Sequence, residues 1–211
     1  KETLIKDHAI VINEKKIVAL CPHKEAANQF ITSNTIELDN HILIPGLINA
    51  HCHAPMTLLR GIADDLPLED WLNKKIWPLE EKFISQEFVE DGAELAIAEM
   101  ILSGTTCFAD MYFYPDCVAK KAIDSNMRVQ LACPVLDFPT IWAQSADEYI
   151  QKTIAIHDNY RNSELISVAL GPHAPYTVSD APLKKIGALA EELDIPNHIH
   201  VHETEKEILD S

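Results

Sequence analysis

Apolar residues gather in short, nearly unbroken runs, and stretches of helical periodicity separate them from residue 42 onward. That alternation is the signature of repeated β-α units around a parallel sheet. It predicts strands over residues 43–50, 105–111, 129–135, 166–171 and 196–201, with helices over 69–77, 86–103, 115–126, 145–160 and 179–193. Pro182 sits three residues into the last helix, behind Ser179-Asp180, where its missing donor is tolerated in a first turn. Ser103-Gly104 closes the long second helix with a residue free to turn left-handed.

Upstream the pattern differs. Ala9-Ile10-Val11-Ile12, Lys16-Ile17-Val18-Ala19-Leu20 and Thr35-Ile36-Glu37-Leu38 are short β-rich pieces set apart by the polar turns Asn13-Glu14 and Asp39-Asn40. They predict a small sheet without crossover helices. The five later strands could open either a barrel or a doubly wound sheet. The barrel is favoured because no Gly-x-Gly-x-x-Gly loop follows the first strand, polar chemistry sits at several strand ends, and the run of units is unbroken. A full eight-unit barrel needs roughly 250 residues, more than follow residue 41 here. The expected fold is therefore α/β: a (β/α)8 TIM-type barrel truncated after about five strands, with the N-terminal part of a small β-sandwich domain.

With 211 residues and 47% hydrophobic content the chain can build a core of its own. Thirty-three acidic against 17 basic residues give a net charge of -16, which repels nucleic-acid polymers and anionic membranes but leaves a neutral, nucleoside-sized ligand open. Five scattered cysteines, Cys21, Cys52, Cys107, Cys117 and Cys133, fit a reducing compartment better than a disulfide framework. With no membrane-length apolar stretch and no secretory signal at the start, a cytoplasmic protein is expected.

The candidate chemistry lies at the predicted strand ends, which share one face of a barrel. His51-Cys52-His53 places two imidazoles on one side at a strand's period of two, so both can converge on one ion. Asp110 ends the second strand and His173 the fourth, while His200, His202 and Glu203 end the fifth. His198, His200 and His202 share a side if that strand stays regular but cannot all reach one ion; the central His200 is best placed. Glu203, emerging just above it, has the geometry of a proton shuttle beside a metal-activated water. His173, in Gly171-Pro172-His173-Ala174-Pro175-Tyr176, is held between prolines as a hydrogen-bond donor into a pocket. The loop from Met56 to Leu68 reads as a substrate cover, with Trp71 and Trp77 as a flat wall and Glu80 as a partner for substrate hydroxyls.

Four motifs in this order, Pro45-Gly46-Leu47-Ile48-Asn49-Ala50-His51-Cys52-His53, Ala54-Pro55-Met56-Thr57-Leu58-Leu59-Arg60-Gly61, Gly171-Pro172-His173-Ala174-Pro175-Tyr176 and His200-Val201-His202-Glu203-Thr204, resemble the amidohydrolase superfamily. The likeness is strongest to its branch of 5-methylthioadenosine/S-adenosylhomocysteine deaminases and triazine hydrolases. The resemblance implies one divalent metal ion, usually zinc with ferrous iron the alternative, held by His51, His53 and His200. It implies that Glu203 activates water, His173 contacts the substrate and Glu80 binds ribose hydroxyls. A further histidine and an aspartate completing the centre would lie beyond Ser211, and on that expectation the chain is not active alone. It divides the chain into residues 1–44, a β-rich segment of a composite sandwich domain, and residues 45–211, the first part of a metal-dependent hydrolase barrel. The fourth strand offers His173 and neither a carboxylated lysine nor a glutamate as a bridge, which favours one ion over two.

The implied reaction is hydrolytic deamination of the adenine ring of 5-methylthioadenosine and S-adenosylhomocysteine, releasing ammonia. The third strand lacks the arginine that some members use on their ligand, and the segment Asp137-Phe138-Pro139-Thr140-Ile141-Trp142 is expected to form an apolar pocket wall instead. Two alternatives remain: a deaminase or chlorohydrolase of guanine-like bases or triazines, and an inactive barrel-type binding protein. The expected partner is a small purine nucleoside-like molecule, with no nucleic-acid polymer and no membrane; a homo-oligomer is left open.

Overall fold

The computed structural model describes residues 4–210. Contacts divide the chain into two compact units, one ending at Ile44 and one beginning at Pro45. In the first, β1 (His8–Asn13) and β2 (Lys16–Pro22) form an antiparallel hairpin whose turn places Glu14 at φ 54°. A short helix, α1 (His23–Gln29), follows directly. The strand expected at Thr35-Ile36-Glu37-Leu38 does not form: the segment has no ladder partner among the described residues, and a strand exists only through its neighbour's hydrogen bonds. None of the described residues of this unit is buried.

The second unit carries the β-α succession. Its strands β3 (Leu47–Cys52), β4 (Thr105–Asp110), β5 (Arg128–Val135) and β6 (Ile166–Pro172) form one parallel sheet in the order β3-β4-β5-β6. Sequential order without reversal is that of a barrel wall, whereas a doubly wound sheet reverses at a switch point. The fifth expected strand is reduced to one bridge, Leu170 with Asn197, although the His198 N–H still donates to the Leu170 carbonyl. The architecture is thus α/β: a partial TIM-barrel-like parallel sheet in one unit and a small antiparallel sheet in the other.

β3 begins four residues later than the apolar run suggests. Pro45 has no N–H to give a ladder, and the Leu47 N–H, donating to the Gly104 carbonyl, is the first to pair. The strand therefore extends through His51, and a register shift against β4 between Asn49 and Cys52 inserts one extra residue around that histidine.

Among the described residues seven α-helices accompany this sheet: α2 (Leu68–Trp71), α3 (Trp77–Phe83), α4 (Gln86–Leu102), α5 (Pro115–Asp124), α6 (Ala146–Tyr160), α7 (Asp180–Leu193) and α8 (Glu205–Asp210). The single helix expected at 69–77 is a composite, with a π-turn at Leu72–Ile76 joining α2 to α3. Ser85 and Ser145 cap α4 and α6 by accepting from the N–H groups of Phe88 and Glu148. No helix among the described residues is long and apolar enough to cross a membrane.

Alternation along the strands separates two faces. Phe108, Val129, Leu131, Cys133, Val135, Ile166, Val168 and Leu170 join the large core, while Met111, Ala132 and Ala169 form a small apolar group of their own. Cys52 packs with the large core, which sends its flanking histidines to the other side. Trp142, expected in a pocket wall, is instead buried against Tyr149; Phe138 of the same segment stacks edge-on against Trp77.

Gly92 in α4 ties this packing to the site. A Cβ there would lie 2.4 Å from the Pro55 carbonyl oxygen, in the 3-10 turn (Ala54–Leu59) that follows His53. Glycine costs about 1 kcal/mol against alanine inside a helix, and the close approach explains its presence. Gly92→Ala is expected to lower stability by about 1–3 kcal/mol in denaturant unfolding, reversing the gain that helix propensity alone would give.

Candidate metal centre

The ends of β3 and of the segment after α7 bring three imidazoles together. His51, near the end of β3, and His53, one residue past it, have ring centroids 4.9 Å apart. His200 lies 4.8 Å from the first and 5.2 Å from the second. One ring nitrogen from each falls within 4.8 Å of the others, and the three form a site for a single divalent metal ion.

The donor chemistry fits that reading. The Met111 carbonyl lies 2.6 Å from His53 Nδ1, and the His173 carbonyl lies 2.8 Å from His200 Nδ1. A carbonyl only accepts, so both Nδ1 atoms carry the proton and both Nε2 atoms keep a free lone pair. Burial holds His53 down at about 4, with the Met111 carbonyl opposing and the other histidines adding to the shift. Burial lowers His51 as well, followed by repulsion from His200. His53 is thus neutral near pH 7, as coordination requires.

β4 supplies the scaffold for His51-Cys52-His53. The Met111 N–H donates to the Cys52 carbonyl, and the buried Asp110 carboxylate accepts from the Ala54 N–H at 2.6 Å and from Cys52 Sγ at 3.7 Å. Burial raises Asp110 to about 7, against the Ala54 and Cys52 bonds that favour its charged form. This carboxylate holds the strand end on which two ligands sit.

Around the three ligands stand further groups. His173 has its ring centroid 4.9 Å from that of His200, and burial lowers it to about 3. Its Nδ1 contacts the Thr177 hydroxyl at 3.0 Å, leaving Nε2 as the edge available to a ligand. Glu203 accepts from the Tyr176 hydroxyl at 2.7 Å, and its charge partly offsets the downward shift of His51. His198 lies against His51, with its Nε2 3.3 Å from His51 Nδ1 and the ring centroids 5.5 Å apart, but it is not among the three whose nitrogens converge. His202 adopts φ 60° and leaves the cluster altogether.

Glu80 is half-buried and accepts from the Tyr112 hydroxyl at 2.7 Å. Burial raises it to about 7, opposed by that bond. Trp71 is half-buried in a cleft of about 380 Å³ lined by Met56, Thr57, Arg60, Asp64 and Ile76, which contains none of the three ligands. Thr177, Tyr176, Tyr112 and Glu207 escaped sequence reasoning. Tyr176 and Thr177, both within four residues of His173, carried the one local signal.

The amidohydrolase family's sequence model matches residues 42–211. A 5-methylthioadenosine/S-adenosylhomocysteine deaminase of Saccharophagus degradans is 53% identical over 203 residues, covering 96% of this chain and 46% of its own length. A zinc-bound crystal structure described as an adenosine deaminase from Xanthomonas campestris superposes with a TM-score of 0.96 at 47% identity, over 98% of this chain and 47% of that one. The zinc-complexed atrazine chlorohydrolase of Arthrobacter aurescens shares the fold, with a TM-score of 0.85 at 22% identity over 94% of this chain and 49% of its own. The chain spans about half the length of the curated relatives it matches.

Glu80 gives a pH test. Its folded-state value of about 7 stands above the ordinary 4.5, so between these values the native state binds more protons than the unfolded one and stability falls as pH rises. Glu80→Gln removes that cost. In denaturant unfolding the variant is expected to match the parent near pH 4.5 and exceed it at pH 8 by about 1–3 kcal/mol; parallel pH curves would refute the raised carboxylate.

Proposed function

The chain belongs to the amidohydrolase family, and on that premise we propose that the protein hydrolytically deaminates the adenine ring of 5-methylthioadenosine and S-adenosylhomocysteine, releasing ammonia. The observation that carries the proposal is the meeting of His51, His53 and His200 beside Glu203, from segments far apart in sequence. On this reading residues 45–211 belong to the hydrolase barrel and residues 1–44 to a composite sandwich domain.

A divalent ion bound by the three histidines supplies Lewis acidity that makes water nucleophilic near neutral pH. Glu203 takes one proton from the attacking water and returns it to the departing amino nitrogen as the carbon–nitrogen bond breaks. The balance is ring amidine plus water to ring lactam plus ammonia, with the water's second proton passing from the new hydroxyl to the adjacent ring nitrogen as the carbonyl forms. The Tyr176 hydroxyl, donating to Glu203 Oε2, orients the carboxylate between these transfers. His173, neutral and held at Nδ1 by Thr177, contacts the ring near the reacting carbon through Nε2. Glu80 takes the ribose hydroxyls and Trp71 stands as a flat wall of the substrate cover. Adenosine itself is a second reading, favoured by the 47% identical structure described as an adenosine deaminase.

Zinc analysis and ammonia release from 5-methylthioadenosine, S-adenosylhomocysteine, adenosine, guanine and triazines test the proposal together. About one equivalent of zinc is expected in the parent and in Glu203→Gln, with turnover lower in the variant by about 10²–10⁴-fold. Two tightly held ions, or unchanged turnover in the variant, would overturn it.

A further inference from the structure

The proton-carrying role assigned to Glu203 raises a mechanical problem. Between the bridge at Asn197 and α8 the chain has no ladder, Val201 is 53% exposed, and His202 turns left-handed at φ 60°. A carboxylate that must meet both water and leaving group cannot ride on a loose turn, because transfer needs approach to about 2.6–3.2 Å.

The support comes from Glu207, which is only 8% exposed. Its Oε1 accepts from the His202 N–H at 2.8 Å and its Oε2 from the Glu203 N–H at 2.9 Å. Each carboxylate oxygen thus takes one of two consecutive amides. The clamp is itself anchored: Thr204 Oγ1 accepts from the Glu207 N–H at 3.1 Å, and the Thr204 carbonyl accepts from the Ile208 N–H at 3.2 Å. Thr204 and Glu207 stand in the spacing of a capping box, but the acid reaches past the cap residue to the two amides before it. An ordinary box serves its helix, whereas this one grips the backbone of the residue proposed to move the proton.

We propose that Glu207 is a positioning residue for Glu203: it fixes the backbone of the turn while Tyr176 fixes the carboxylate, and it touches neither metal nor substrate. The inference rests on the reading of Glu203 as the proton carrier. Removing the acceptor hands both amides, which belong to exposed residues, to solvent, and water does not hold the turn in one geometry. Glu207→Ala removes both bonds, and Glu207→Gln keeps one acceptor oxygen and the side-chain length.

The test is a double-mutant cycle on the whole protein, with kcat, KM and zinc content read for each form. Glu207→Ala is expected to lower kcat about 10–100-fold, with KM changed less than about 3-fold and zinc retained at about one equivalent. Glu207→Gln is expected to fall between it and the parent. In the Glu203→Gln background, either Glu207 variant is expected to cost less than about 3-fold, because the group being positioned is already gone. Equal losses in both backgrounds would reduce Glu207 to a structural role and overturn the proposal, as would loss of zinc. Unchanged kcat in the Glu207 variants, with Glu203→Gln impaired, would overturn this proposal alone; an unimpaired Glu203→Gln would overturn the reading of Glu203. Should Glu207→Ala fail to fold, the cycle with Glu207→Gln decides.

Discussion

Two backbone carbonyls govern this centre. Those of Met111 and His173 take the Nδ1 protons of His53 and His200, and by doing so decide which nitrogen of each ring is left to bind an ion. Neither carbonyl belongs to its histidine's own strand segment. Met111 follows the end of β4, beside β3, and His173 follows the end of β6, beside the segment bridged at Asn197, so both bonds depend on neighbouring segments finishing at matched heights. The sequential order of the sheet is therefore what selects the tautomers.

Burial then sets the charges. His51, His53, His173 and His198 lie close together and are all pushed toward the neutral form, which lets so many imidazoles share one small volume without mutual repulsion. The same desolvation acts on the acids beside them. Asp110 and Glu80 are both raised to about 7, yet each keeps a defined partner, the Ala54 amide for one and the Tyr112 hydroxyl for the other. Tyr112 and Met111 are consecutive, so the residues just past β4 serve a ligand histidine and a half-buried carboxylate at once.

The arrangement is economical in the way it uses strand ends. β3 provides His51 and leads into His53, β4 provides their supports, and the turn after β6 provides His173 together with Tyr176 and Thr177. His200 joins through its own N–H as well as its ring, since both bond to the His173 carbonyl. What would be two independent histidines in sequence are thus one hydrogen-bonded unit in space. Gly92 completes the frame from the helix side by letting α4 lie against the turn after His53.

The repeated β-α pattern, the parallel sheet and the pairing of His51 with His53 were legible in the residues, because hydrophobic period and strand alternation are local properties. Placement along the predicted elements already favoured His200 over His198 and His202 and marked Glu203, His173 and Glu80 as candidates, while the resemblance of whole motifs supplied the full ligand set and the roles expected of the others. The folded chain separated those three histidines, by breaking the fifth strand after Asn197 and turning His202 away. It also shortened the apolar run before His51 at Pro45, dissolved the piece at Thr35-Ile36-Glu37-Leu38, and sent Trp142 into the core. The supports, Asp110 on Ala54, Thr177 on His173 and Glu207 on two amides, were set by tertiary structure. A hydrogen bond is specified by where a donor and acceptor end up in space, and a linear sequence states which groups exist without stating which will face each other.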